Sequence, residues 1–334
     1  MKNSRVTIKD IARELGLSAS TVSRALKDHP DISVETKKAV VELSQKMKYR
    51  PNMMALSLKN SRSNVIGVII PELVHYFFSS VIAGIQEVAD KHKMRVIVQQ
   101  SNESFDLEGE ALDAFADGWI DGLLISISKE TNSYEHFDEL EEDGIPIVFF
   151  DRPIERENVD SVIFDDYKGA FDAVDYLIKS GRQSIAHFAG PASTHVGRER
   201  LRGYKDALSA NGISFNEDLV LFADSFEKGF SGVEALLARG QAVDAIFTCN
   251  DATAIGVLKA LRKEGLNVPK QVAVVGFGDE EIAKMVEPPL TTVRQPGKEM
   301  GRAAMQALIN KINGNASEVR HHILEANVVV RETT

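Results

Sequence analysis

Cysteine is nearly absent from this chain of 334 residues, in which Cys249 stands alone. A single thiol excludes a disulfide framework and any cysteine-cluster zinc site, and such usage suits a reducing compartment. Long apolar stretches are missing as well. The longest, Val65 to Pro71, is far too short for a membrane-spanning helix. The opening MKNSRVTIKDIARELG has no apolar core and no small-residue cleavage site, so it does not read as a secretory signal. Membrane and exported proteins are disfavoured, and the expected location is the cytoplasm. Catalytic signatures are also lacking: no G-x-S-x-G elbow, Walker loop, H-E-x-x-H or complete dinucleotide fingerprint occurs. Gly276-Phe277-Gly278 lacks the third glycine of that fingerprint. His321-His322 has no evident ligand partner and reads as a strand-edge pair rather than a metal site. The expectation is a protein with no catalytic residues, no cofactor and no metal.

What the chain does have is a charge asymmetry. Its composition, 43% hydrophobic and 26% charged, is that of a globular protein, and its length suggests two or three compact units. Residues 1–63 hold 13 Lys+Arg and 6 Asp+Glu, a net of +7, whereas the rest of the chain carries −17 and the whole −10. A basic head gains by neutralising phosphates, while an acidic body is repelled by them. Charge alone fits a solvated surface equally well.

The first 50 residues carry only helical signals. Thr7-x-x-Asp10 is a capping box before the apolar series Ile8, Ile11, Ala12, Leu15, and Gly16 stops that helix. Ser18 caps a second helix, Ala19 to Lys27, with Val22, Ala25 and Leu26 inward. After the loop His29-Pro30-Asp31, Ser33 caps a third, Val34 to Lys48, with Ala39, Val40, Leu43 and Met47 inward. Three short helices, the first two joined by a tight Gly turn, make a helix-turn-helix candidate. On its second helix, Ala19, Ser20, Ser23, Arg24 and Lys27 share the outer face. Arg24 suits a guanine edge, Ser20 either base type and Ala19 a thymine methyl. Thr7, Thr21 and Ser23 suit phosphates, which position without specifying. Pro51-Asn52 ends the unit, and residues 53–63 form a connector too short to be a stable helix alone.

From Asn64 onward strand-like runs alternate with helices. The strands are Val65–Ile70, Val96–Gln99, Gly122–Ile127, Pro146–Phe150, Ser161–Phe164, Ile185–Ala189, Ala245–Cys249 and Val272–Gly276. Helices between them include Ser79–His92, Leu107–Asp117, Lys168–Ser180, Arg200–Asn211, Phe230–Ala238, Ala252–Glu264 and Lys298–Ile312. Near-continuous apolar strands lie inside parallel sheets, so the body is predicted to be α/β with two such sheets.

The stretch VTIKDIARELGLSASTVSRALKDHPDISVETKKAV, residues 6–40, resembles the DNA-binding headpiece of the LacI/GalR repressors. YRPNMMALSLKNSRSNVIGVIIP, residues 49–71, resembles their hinge and first core strand. Further matches are IPIVFFDRP at 145–153, HFAGP at 187–191, TCNDATAIG at 248–256, VAVVGF at 272–277 and PPLTTVRQP at 288–296. The resemblance implies an all-α helix-turn-helix headpiece at 1–50, a hinge helix or linker at 51–63, and a periplasmic-binding-protein-like core at 64–334. That core would have one lobe at about 64–164 and 296–323 and another at about 165–295 and 324–334. It implies base contacts at Ala19, Ser20 and Arg24, and DNA contacts at Asn52, Ala55, Leu58 and Lys59, with Leu58 wedging into the minor groove.

Ligands of open parallel sheets bind at the carboxyl ends of strands, which points to the segments after each strand. The resemblance sharpens this to aromatic cleft positions at Phe77 and Phe78, polar ones at Ser126, Asp151, Asn250 and Gln295, and an effector-gripping arginine at Arg200. A surface ion pair of Arg200 with Glu199 or with neighbours such as Glu234 is the plainer alternative. Two positions depart from the family pattern. Gly278 stands where many members have a hydroxyl-binding Asp, leaving Asp279 as the nearest carboxylate, and Phe226 lies one residue farther from Gly232 than the pattern has. The implied function is a DNA-binding repressor controlled by a small polar metabolite, a sugar or sugar derivative. It would bind a pseudo-palindromic double-stranded operator as a homodimer. The chain ends in VVVRETT without the leucine heptads that make tetramers in the family, and Ser79–His92 is a candidate part of the dimer interface. The alternative is a solute-binding receptor with the same core and no DNA readout, which would need an export signal.

Overall fold

The computed structural model describes residues 6–49, 62–74, 76–116, 120–156, 159–315 and 321–334. The expected DNA contacts Asn52, Ala55, Leu58 and Lys59 lie outside them. The chain forms two compact units, 1–63 and 64–334.

In the first unit, α1 (Ile8–Leu15), α2 (Ala19–Leu26) and α3 (Val34–Lys46) are each started by the residue whose side chain can do it. The Asp10 carboxylate accepts the Thr7 N–H at 2.9 Å and its hydroxyl proton at 2.7 Å. Ser18 Oγ accepts the Thr21 N–H at 3.0 Å, and Ser33 Oγ accepts that of Thr36 at 3.2 Å. Gly16 ends α1 at φ +64, a left-handed turn that a Cβ would penalise. The buried centre is Ile11, Ala12, Val22, Ala25 and Val40. Ala39, expected inward, is exposed, because the inward series of α3 runs through Val40, Leu43 and Met47 at helical spacing. Met47 caps α3 rather than lying within it.

The second unit holds two six-stranded sheets. The strands are β1 (Val65–Ile70), β2 (Arg95–Gln100), β3 (Gly122–Ile125), β4 (Ile147–Phe150), β5 (Asp160–Phe164), β6 (Ile185–Ala189), β7 (Val220–Phe222), β8 (Ala245–Thr248), β9 (Ala273–Gly278), β10 (Thr291–Arg294), β11 (His321–Leu324) and β12 (Asn327–Val329). The first sheet is ordered β11-β5-β4-β3-β1-β2 and is parallel throughout. The second is β12-β10-β9-β8-β6-β7, with β12 antiparallel to β10. Central strands such as β3, β4 and β8 are wholly buried, as sheets covered on both faces require.

Helices α4 (Tyr76–Lys91) and α12 (Gly297–Ile312) cover one face of the first sheet. The other face takes α5 (Phe105–Ala116) and α6 (Asp138–Glu142). In the second lobe α7 (Asp166–Lys179) and α8 (His195–Ala210) cover one face, while α9 (Phe226–Ala238) and α10 (Asp251–Lys263) cover the other. The short α11 (Glu281–Met285) follows β9. The chain passes between sheets after β5, after β10 and after β11.

Some boundaries differ from the sequence prediction. β3 ends at Ile125 rather than Ile127, and α4 starts at Tyr76, so Phe77 and Phe78 sit in its first turn rather than in a loop. Arg200 lies inside α8, which begins at His195. His321 and His322 are on the edge strand β11, where His321 Nδ1 lies 2.7 Å from Ser161 Oγ.

Candidate functional site

The carboxyl ends of both sheets face a cleft of about 390 Å³ between the lobes. Phe77, Phe78, Asp151, Arg200, Asn250 and Gln295 all line it, together with Arg152 and Phe277. Phe77 and Phe78 meet edge to face with centroids 5.2 Å apart. Several side chains expected from the strand-end rule and the family positions converge there.

Arg200 is fixed from three sides. Its Nε and Nη2 donate to Asp166 Oδ1 at 2.8 and 2.7 Å, its Nη1 donates to the Cys249 carbonyl, and its guanidinium carbon lies 3.6 Å from the Phe277 ring centroid. The pair is buried. Burial raises the Asp166 carboxyl to about 6, against the pull of Arg200. Glu199 pairs with Arg202 at 2.6 Å and Glu234 with Lys263 at 2.7 Å, so the ion pair of Arg200 is the buried one with Asp166 rather than a surface pair.

On the opposite wall Arg152 makes a two-pronged bond to Glu103, at 2.8 and 2.9 Å, and a third to the Ile127 carbonyl at 3.0 Å. Burial pulls the Glu103 carboxyl up, but Arg152 and the Lys129 N–H bring it below its ordinary value. Asp151 differs from both. It is buried at 5% exposure and held at φ +63, a left-handed conformation that non-glycine residues adopt at a cost of about 1 kcal/mol or more. Among the described residues its carboxylate accepts no hydrogen bond; Arg152 Nε stays 3.8 Å away. Burial, with Asp166 and Glu103 nearby, raises it to about 6 despite Arg152 and Arg200. The backbone strain thus presents to the cleft a carboxylate with acceptor capacity to spare.

Asn250 is mostly spent on structure. Its Oδ1 caps α10 by accepting the Thr253 N–H at 2.7 Å, and its Nδ2 donates to the Asp224 carbonyl at 2.9 Å. Three expected residues are not brought to the cleft. Ser126 is fully buried, and its Oγ has no hydrogen-bond partner among the described residues. Asp279 turns away to pair with Arg331. Phe226 opens α9 with its ring 5.4 Å from Lys259 Nζ, while Asp224, Ser225 and Lys228 of the same turn line the cleft in its place. The reason is the helix start: Ser225 Oγ accepts the Lys228 N–H at 3.4 Å, and the Phe226 backbone packs against Gly256 of α10. At Gly278, φ +139, a Cβ would lie 3.2 Å from Asp251 Oδ2. Asp251 itself is buried and bonded to the Thr292 hydroxyl and the Glu280 N–H. Backbone therefore forms the wall where a hydroxyl-binding carboxylate was in question.

Sequence reasoning missed Glu103, Lys129, Lys228 and a fully buried support, Glu108 of α5. The Glu108 carboxylate accepts the Ser128 N–H at 2.6 Å and the Thr131 hydroxyl at 2.8 Å, and it lies 3.0 Å from His136 Nε2. It holds the loop after β3 against the cleft. Its signal was present as a charged residue on the inner face of an amphipathic helix.

In the first unit, Arg24 and Ser20 are exposed on α2, and Arg24 forms no ion pair among the described residues. Thr21 and Ser23 are half-buried; Ser20 and Thr21 share their hydroxyls with Ser18 Oγ at 2.7 and 2.8 Å. Ala19 is half-buried, its methyl resting partly on the core. The Thr7 hydroxyl is engaged by Asp10.

Residues 7–52 match the family described as bacterial regulatory proteins, lacI family, and residues 63–331 match periplasmic binding proteins and sugar binding domain of LacI family. The chain belongs to the LacI family. These are transcriptional regulators and not enzymes, and this member is a helix-turn-helix DNA-binding regulator with an effector-binding domain. Among its relatives, catabolite control protein A of Priestia megaterium is 33% identical over 92% of this chain and 93% of its own. The HTH-type transcriptional repressor CytR of Escherichia coli K12 is 30% identical over 100% and 97%. A solved lac repressor dimer, bound to operator and the anti-inducer ONPF, is 28% identical over 99% of both chains with a TM-score of 0.89. A CelR–cellobiose complex is 30% identical over 99% and 100%, with a TM-score of 0.76. No helix among the described residues of this LacI-family chain is long and apolar enough to cross a membrane.

Proposed function

We propose that this chain is a homodimeric repressor whose hold on a pseudo-palindromic operator is set by a small polar metabolite, a sugar or sugar derivative, bound between the lobes. Residues 1–50 read the half-sites, 51–63 join them to the core, and 64–334 take the effector. The observation that carries the reading is the pairing, in one cleft, of the Asp151 carboxylate, which accepts no hydrogen bond among the described residues, and the fixed Arg200 guanidinium with the rings of Phe77 and Phe78. A carboxylate and a guanidinium match a hydroxyl-rich ligand, and aromatic faces match its carbon skeleton. An effector contacting both lobes binds one lobe arrangement better than another, and that differential affinity is the whole of its control over the operator. Exposed Leu73, Val74, Tyr76 and the edge-strand residue Ile97 offer apolar surface in the first lobe for a two-fold interface.

The test is selection of bound sequences from a random DNA pool at physiological salt, with and without pooled sugars. A palindrome whose recovery changes with the sugars supports the reading. Failure to recover any sequence under either condition, with a sugar still bound in calorimetry, favours a ligand receptor without DNA readout.

A further inference from the structure

The second sheet turns its carboxyl end to the cleft, and at its other end, between the loops that precede β8 and β9, lies a pocket of about 280 Å³. Its floor is aliphatic and buried: Val233 and Leu236 of α9, Ile246 of β8, Leu261 of α10 and Val272 just before β9. Leu237 and Ala242 stand exposed at its rim. Among the described residues no charged side chain lines it. Two carboxamides supply its polarity. Gln271 spends its Oε1 on the N–H and the Nδ2 of Asn267, at 2.9 and 3.0 Å. Gln241 is half-buried, and its side chain forms no hydrogen bond among the described residues.

The packing of α9 on α10 explains the space. Near the cleft the two helices meet backbone to backbone. A Cβ on Gly229 would fall 2.3 Å from the Thr253 carbonyl oxygen, and one on Gly256 2.1 Å from that of Phe226. Glycine alone permits that approach. Toward the carboxyl ends the facing residues are the larger Val233, Leu236 and Leu261, and helix spacing follows the side chains at the contact. The helices part there, and the pocket opens between them down to the sheet. The same two helices carry Lys228 and Asn250 to the cleft at their other ends.

We propose that this pocket is a second ligand site, separate from the cleft, for a small neutral apolar molecule the size of a bicyclic aromatic. Its ring lies on the aliphatic floor and its one hydrogen-bond donor meets Gln241 Oε1. The size fits: an aliphatic cavity of about 150 Å³ holds benzene, and this one has room for a second ring. The lack of facing charge selects against ions, which would give up hydration without a partner. A hydroxyl-rich sugar meets the same cost against Leu and Val, so the pocket and the cleft accept different chemistry. The site does not depend on the effector reading above.

Calorimetry on the full chain with indole, benzene and benzoate tests the site. Indole is expected to bind at one site with a Kd of roughly 0.1–1 mM, the range open to a ligand of its size. Benzene, without a donor, is expected to bind about fivefold more weakly, and benzoate about tenfold more weakly again. Leu237→Trp fills the pocket from its rim and is expected to weaken indole about tenfold or more. Ala242→Trp, at an exposed position that burdens folding less, is expected to do the same. Gln241→Leu is expected to weaken indole about fivefold and leave benzene unchanged; a merely structural role for Gln241 would move both probes alike. Phe77→Ala, in the cleft, is expected to leave indole binding as it was. Absence of saturable indole binding, or binding that survives both filling variants, overturns the site. Loss of indole binding in Phe77→Ala alone places the ring in the cleft and overturns it too.

Discussion

The two functional surfaces of this chain hold their charged groups in opposite ways. On α2 the base-reading candidate Arg24 is exposed and forms no ion pair among the described residues. In the cleft Arg200 and Arg152 are committed to internal partners before any ligand arrives. A DNA-reading side chain meets a polyanion that supplies its partner, so it can wait in water. A cleft side chain must be aimed in a low-dielectric space where an unpaired charge is costly, so the fold pairs it first. Stability and function should therefore separate on α2 and be entangled in the cleft.

The sharpest way to break that contrast is Arg200→Ala. It leaves Asp166 buried without its partner and should cost about 3–5 kcal/mol in urea unfolding at neutral pH. Arg200→Met combined with Asp166→Leu should recover most of that loss while effector binding stays lost. A single variant as stable as the parent would contradict the entanglement.

Asp151→Asn should act in the other direction. A carboxyl whose folded-state pKa is raised to about 6 binds its proton more tightly folded than unfolded. Folding stability therefore falls as pH rises from about 4 to about 6 and stays lower above that. The amide removes that penalty, so the variant should gain about 3 kcal/mol at pH 7, lose effector affinity and show a flatter stability profile across that window. Asp166 and Asp251, also raised to about 6 by burial, keep part of the slope.

Arg24→Ala should leave the unfolding midpoint in place, yet cost about 1–3 kcal/mol at one symmetric operator position and relax specificity there. Lys59→Ala should weaken binding evenly across operator variants and reduce the salt slope by about one. Equal losses at every position in both variants would erase the distinction between reading and positioning.

Legibility in the sequence followed the physics of each feature. Helix starts at Thr7, Ser18 and Ser33 were readable because a cap is a local, residue-specific event. Central strands were readable because both their faces are apolar. The edge strands β7 and β12 and the strand β10 were not anticipated, and β11 only through the edge position expected of His321 and His322: β10 is TTVR, and Thr291 and Thr292 satisfy their hydroxyls through contacts with Thr334 and Asp251 that no periodic pattern reveals. In the cleft, Asp151 and Arg200 were expected from strand ends and family positions. The choice of partner was not, since Glu103 meets Arg152 across 49 residues of chain. Phe226 and Asp279 were misplaced for a related reason: a helix start and the side chain of Arg331 decide where they point.

The three passages between the sheets bear on how the chain is made. The first lobe has five of its strands by Phe164, yet α12, which covers β3, β4 and β5, begins only at Gly297. During synthesis β6 to β10 of the second lobe must emerge before that covering helix exists. An apolar sheet face therefore stays open on the ribosome for much of translation, where chaperones or premature pairing with another nascent chain can reach it. The final segments, β11 and β12, then close one edge of each sheet within nine residues, His321–Val329, so the two lobes reach completion together.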